Sequence, residues 1–133
     1  MLYNVTTCGQ DAYRRGVNQR VVSFSFYGKP GSNVKYEKYL DGIAANARNI
    51  AAKYPGWVMR LYYDLPEKDP VKDELCKLAC EDNNIDLCHA KNLPGSPMVD
   101  ATGVFPMNWR FFPSLDPQVS LRGLVTFQQV GLS

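Results

Sequence analysis

Arg20-Val21-Val22-Ser23-Phe24-Ser25-Phe26-Tyr27-Gly28 and, further along, Trp57-Val58-Met59-Arg60-Leu61-Tyr62-Tyr63-Asp64 are the stretches that decide the fold. The first alternates and is rich in β-branched and aromatic residues, the pattern of a strand. The second is almost continuously apolar, as a strand covered on both faces should be. Between them Gly28-Lys29-Pro30-Gly31-Ser32 ends the first strand with strong breakers, and Ser32 or Asn33 is suited to cap a helix. Tyr36, Leu40, Ile43, Ala47, Ile50, Ala51 and Tyr54 then recur at spacings of three and four, one apolar face of a helix of about twenty residues. Pro55-Gly56 stops it. Strand, helix and strand in this order make a parallel βαβ unit.

Working outward, Asp69-Pro70 starts a second helix, with Val71, Leu75, Leu78 and Ala79 as its buried face. Residues 85–90 alternate and predict a short third strand. Residues 91–103 hold two prolines and two glycines and predict a loop. An aromatic cluster follows, Phe105, Trp109, Phe111 and Phe112, and after Pro113 and Asp116-Pro117 residues 119–127 suit a last strand. Residues 1–19 are polar and patternless and read as a lead-in expected to fray. The expectation is one α/β domain over 20–133, a Rossmann-like βαβαβ arrangement with a mainly parallel sheet and helices on its faces. In such sheets ligands sit beyond the carboxyl ends of the strands, here Tyr27-Gly28, Tyr63-Asp64 and residues 90–94.

Composition excludes several classes. At 133 residues, 45% apolar and 21% charged, the chain is neither disordered nor fibrous. A net charge of +2 is too small to argue for nucleic acid or an anionic membrane. No apolar run approaches the roughly 18 residues of a membrane span, and the first residues lack the pattern of a secretory signal, so the default compartment is the cytoplasm and the sequon Asn4-Val5-Thr6 reads as idle. Residues 64–86 carry eight acidic side chains against three lysines, which reads as a solvated helix and its flanks.

The residues able to carry chemistry are few. The Gly28–Ser32 loop precedes a helix, whose amides favour anions, and Lys29 would help, yet it matches neither a dinucleotide fingerprint nor a P-loop. Cys76 and Cys80 lie one helical turn apart, but adjacent Cys88 and His89 on a strand point to opposite faces, which argues against a closed zinc site. A disulfide among Cys76, Cys80 and Cys88 fits an oxidising lumen, and buried thiols fit otherwise. His89, the single histidine, has no evident triad partners and reads as a strand-end imidazole. Asp64 ends a parallel strand, where ligand-binding carboxylates sit, and equally leads into the acidic helix. Trp109-Arg110-Phe111-Phe112 could stack a base or sugar, with Arg110 facing a phosphate, although core packing is the commoner use of close aromatics.

Several motifs in order carry a resemblance: Ser23-Phe24-Ser25-Phe26-Tyr27-Gly28, Gly42-Ile43-Ala44-Ala45-Asn46-Ala47, Tyr54-Pro55-Gly56-Trp57, Arg60-Leu61-Tyr62-Tyr63-Asp64, Leu87-Cys88, and the run from Phe105-Pro106-Met107-Asn108-Trp109 to Ser114-Leu115-Asp116-Pro117. Over roughly residues 20–120 this order resembles a eukaryotic glycosyltransferase-like family of GT-A type, the nucleotide-diphospho-sugar transferase fold. The resemblance implies a nucleotide or nucleotide-sugar ligand, with Tyr27, Gly28, Arg60, Asp64, Trp109 and Arg110 as nucleotide-binding residues. In that family an Arg-Asp-Leu-Asp-Ser-like stretch after the Asp-Pro-x-Val segment holds Mn2+ or Mg2+ against a UDP- or GDP-sugar, hard cations that need oxygen ligands. This chain reads Leu121-Arg122-Gly123-Leu124-Val125 there and has no carboxylate side chain after Asp116. No catalytic residue and no metal ligand is therefore carried over, and 121–133 reads as an atypical tail. The expectation is the nucleotide-sugar-binding half of such a transferase, not competent for turnover. The alternative is a non-catalytic nucleotide-binding or protein-interaction module, or a splice or gene-model fragment without independent function. An open sheet edge would favour self-association, and for complete relatives the resemblance implies an N-terminal anchor into the secretory pathway.

Overall fold

Alternation along the first strand sorts the molecule into two layers, one on each face of a parallel sheet. A computed structural model describes residues 6–27, 36–65, 70–81, 84–93, 100, 102, 103 and 106–126. In chain order these form α1 (Gln10–Arg14), β1 (Gln19–Tyr27), α2 (Tyr36–Lys53), β2 (Val58–Asp64), α3 (Pro70–Glu81), β3 (Ile85–His89), a 3-10 turn (Ala90–Asn92), a 3-10 helix (Pro106–Leu115) and β4 (Val119–Thr126). The four strands lie in the order β3-β2-β1-β4 and all pairs are parallel. The fold is the α/β, Rossmann-like arrangement that the βαβαβ pattern predicts. The glycine-rich turn 28–32, the helix caps Ser32, Asn33 and Asp69, most of the proline-rich loop, Phe105 and the tail 127–133 lie outside the described residues.

The first layer is apolar. Val22, Phe24 and Phe26 of β1, Met59, Leu61 and Tyr63 of β2, and Ile85 of β3 share one face of the sheet. Ile43, Ala47 and Ile50 of α2 and Leu75 of α3 close over them. The spacing of three and four places Ile43, Ala47 and Ile50 on one stripe of α2, which is why the helix forms there rather than from propensity alone. Gly56, at φ +87°, takes the left-handed conformation that lets the chain turn from α2 into β2. Ala51 and Tyr54, expected on the buried stripe, are exposed, and Tyr54 falls just past the end of α2. The acidic side chains Asp73, Glu74 and Glu81 of α3 are solvated as expected, but Asp86 of β3 is 3% exposed.

The second layer corrects the reading of the chain's beginning. Residues 6–19 pack against the sheet. Thr6, Thr7, Cys8, Ala12 and Gln19 are buried on the other face of the sheet, alongside the 3-10 helix. Periodicity misses this segment because its anchors are hydroxyls, an amide and a thiol rather than an apolar stripe. Trp109, Phe111 and Phe112 of the aromatic cluster lie in the 3-10 helix, ten residues long where runs beyond about four are uncommon. Its Trp109 and Phe112 are the apolar plug of this layer. Among the described residues no helix is long and apolar enough to cross a membrane.

Ile43 is fully buried in the first layer. Truncating it to Ala should lower the unfolding free energy by about 2–5 kcal/mol, measured as a fall in the urea midpoint with the slope unchanged.

Candidate functional site

Of the residues that the sequence singles out, the structure brings two together at the carboxyl ends and sends two others inside. Tyr27 and Asp64 end neighbouring strands and are paired in register. The Asp64 side chain is 43% exposed, and its Oδ1 stands 3.9 Å from His89 Nε2. His89, the next strand's last residue, stacks on Tyr63 with ring centroids 5.0 Å apart and planes within 7°. Asn92 Nδ2 lies 3.0 Å from His89 Nδ1. With the amide donating there, the neutral ring carries its proton on Nε2, toward Asp64. Asp100, also on this rim, is held below the ordinary carboxylate range by the side-chain and backbone hydrogen bonds from Thr102. Gly28 lies outside the described residues.

Arg60 points the other way. Its side chain and that of Asp116 are both 0% exposed, with Nη1 2.7 Å from Oδ2. The same Oδ2 accepts from Thr6 Oγ1 and the Thr7 amide, each at 2.8 Å, and from Thr7 Oγ1 at 3.3 Å. Oδ1 accepts from the Gln118 amide at 2.8 Å. Arg60 Nη2 donates to Gln19 Oε1 at 3.2 Å, and Thr7 Oγ1 reaches the Tyr62 hydroxyl at 3.2 Å. Burial works against both charges. For Asp116 it is outweighed by the Arg60 guanidinium and the Thr7 and Gln118 amides, so the carboxyl lies below its usual range. For Arg60 it is outweighed by Tyr62 and Asp116, so the guanidinium is raised. Burial pushes the Tyr62 phenol up to about 12, against the opposing pull of Arg60 and Thr7. This network fills the polar centre of the second layer and is closed to solvent.

Trp109 is 1% exposed and packs with Tyr62, Phe112, Cys8 and Cys88, so its ring is a core element. Phe112 meets Tyr62 edge-on at 5.6 Å and 88°. Arg110 is half-buried, with its Cζ 4.9 Å from the centroid of the Phe111 ring, which is itself 46% exposed. Asp116 meets the sheet at Arg60 and Phe112 meets it at Tyr62. Going back along the 3-10 helix therefore climbs toward the carboxyl ends, and Arg110 belongs to the turn nearer that rim.

The cysteine expectation is corrected in its partner. Cys88 is bonded to Cys8, 80 residues away, and not to Cys76 or Cys80, which are free and exposed. Cys88 and His89 do point to opposite faces, toward the second and first layers respectively. Among the described residues no three His, Cys, Asp or Glu side chains gather where they could hold a metal ion. An apolar groove of about 230 Å³, lined by Val22, Phe24, Ile50, Tyr54 and Trp57 with Lys53 at its lip, brings no carboxylate, imidazole or thiol to one point.

The buried network escapes sequence reading because its members are scattered from Thr6 to Gln118. One local signal exists: Asp116-Pro117-Gln118 is an aspartate-led turn, whose carboxylate commonly binds the amide two residues on. Compared with protein-family models, curated proteins and solved structures, the chain matches none.

Asp116→Asn keeps the shape but leaves the Arg60 guanidinium buried without a counter-charge. It should cost about 3–5 kcal/mol in denaturant unfolding, and adding Arg60→Met should recover much of that. The pH dependence has two limbs. Asp116 has a depressed pKa in the fold, so its contribution is present above the ordinary carboxylate range and is lost as pH falls through its own lower value. Tyr62 has a raised one, so its contribution is full below 10 and is lost as pH climbs toward about 12. Tyr62→Phe should flatten the alkaline limb of the stability profile and leave the acid limb in place.

Proposed function

We propose that the chain binds a nucleotide, as part of a nucleotide-sugar, at the carboxyl ends of β1 and β2. The observation that carries the reading is the strand order β3-β2-β1-β4 with every pair parallel, which reverses direction of winding at β1. Open parallel sheets bind ligands at that switch point, outside the carboxyl ends. Asp64 stands next to it, at the end of β2, half exposed and in register with Tyr27 of β1. A carboxylate at the end of the second strand is suited to accept hydrogen bonds from ribose hydroxyls. Arg110, on the turn of the 3-10 helix nearer this rim, offers a cation for a diphosphate. The motif order shared with glycosyltransferase-like proteins adds the sugar. Arg60 and Trp109 take part from inside, by holding β2 and the 3-10 helix in place.

Thermal unfolding with millimolar UDP or GDP, with and without manganese, tests the reading. A ligand at a hundred times its dissociation constant stabilises by about 2.7 kcal/mol, which for a chain of this size raises the midpoint by several degrees. Asp64→Ala, at an exposed position, should unfold at the same temperature without ligand and lose most of that rise. Indifference to every nucleoside diphosphate, or an equal rise in the variant, would overturn the assignment of this rim.

A further inference from the structure

Segment 6–19 lies across the second face of the sheet with little apolar burial of its own. Its helix α1 is five residues long, far below the roughly 12–15 residues that an isolated helix needs in water. Cys8 and Ala12 are its buried apolar side chains, while Tyr13 and Val17 are 49% and 70% exposed. Its other attachments are polar. Thr6 and Thr7 bind Asp116. Gln19 Nε2 donates to the Ala12 and Gly16 carbonyls at 2.7 and 2.8 Å, and Gln118 Nε2 donates to the Tyr13 carbonyl at 3.0 Å. Arg15 pairs with Asp86 at 2.7 Å. One covalent bond, Cys8–Cys88, ties the segment to β3.

We propose that this segment is a strap latched by oxidation, and that the chain acquires its closed form in an oxidising compartment. The latch closes when the Cys8 and Cys88 thiols are oxidised by a small-molecule disulfide of the glutathione class. One S–S bond forms, and the two hydrogens and two electrons pass to the oxidant, which leaves as two thiols. A dithiol reductant reverses the step. Disulfides of this kind form and persist in secretory or periplasmic surroundings, which replaces the cytoplasmic default that the sequence suggests. With the bond open, no covalent tie holds the strap to β3, and what remains is the Cys8 and Ala12 side chains, the Arg15–Asp86 pair and hydrogen bonds. The strap then detaches and admits water to the Arg60–Asp116 pair. The first layer shares no side chain with the strap and stays folded.

The test uses the full chain produced in an oxidising compartment. Denatured without reductant it should show two titratable thiols, Cys76 and Cys80, and digestion should yield a Cys8–Cys88 linked peptide. Four thiols would overturn the proposal. Hydrogen exchange of the native protein follows, before and after reduction by a dithiol. Amides in 6–18 should exchange about 100-fold faster or more once reduced, while those of β1 and β2 remain slow. Cys8→Ser should reproduce that pattern without reductant, and a variant with Cys76→Ser and Cys80→Ser should not. Unchanged protection of the strap on reduction would show a passive staple. Loss of protection in β1 and β2 together with the strap would show a bond needed for the whole fold. Either result excludes a latch.

Discussion

The pair of buried charges at the centre of the second layer is the constraint on which the rest of that layer depends. A guanidinium and a carboxylate removed from water carry a desolvation penalty of several kcal/mol each, recovered only when geometry and extra hydrogen bonds are good. Asp116 meets the requirement with four donor groups besides Arg60: the Thr6 hydroxyl, the Thr7 hydroxyl and amide, and the Gln118 amide. These come from both ends of the described chain. The charge of Arg60 on β2 thus dictates where the chain's first described residues lie, where the 3-10 helix ends and where β4 begins. The ionic pair is worth little as net stabilisation compared with an apolar substitute. It does make wrong registers expensive, since any slip strands a charge in the interior.

This arrangement explains the contrast between the two faces of one sheet. The helix-covered face is tolerant: Val22, Phe24, Met59 and Leu61 pack against Ile43, Ile50 and Leu75 by non-directional burial. The other face is directional. Ser23 and Ser25 of β1 are buried beside Arg60 and Tyr62 of β2, their register partners. Small side chains there leave room for the guanidinium, the phenol and the plug formed by Trp109 and Phe112. A layer of this kind is held by a few specific bonds, so a covalent tie between Cys8 and Cys88 has most effect there. Closing a loop of 80 residues restricts the unfolded chain by about 4.5 kcal/mol in the chain-entropy description.

How much of this is legible in the sequence follows from the same division. The parallel sheet, both long helices and β4 are legible because apolar burial writes a period into the chain: two along Val22, Phe24 and Phe26, and three or four along Ile43, Ala47 and Ile50. The second layer writes no period. Thr6, Thr7 and Gln19 fall in a polar, patternless lead-in, and Arg60 enters as a ligand contact only through the resemblance, although charged residues are almost never fully buried unless paired. Trp109 is buried, which is the core packing that close aromatics more commonly serve. Asp64 is readable in place, because the end of a parallel strand is a position set by the period itself.

The same physics separates the charges that can serve a ligand from those that cannot. A carboxylate has about four lone-pair sites. Asp116 spends them on Arg60, Thr6, Thr7 and Gln118, and is closed to solvent. Asp64 stands at the opposite, carboxyl end of the sheet, with a histidine 3.9 Å off and 43% of its side chain in water. Asp64 therefore retains acceptor capacity for groups that arrive from outside. Arg60 and Arg110 divide in the same way. Arg60 is sealed against Asp116, and Arg110 rests its guanidinium on a half-exposed Phe111. Asp64 can thus be altered without touching the buried network, whereas any change at Arg60 or Asp116 moves the scaffold of the second layer itself.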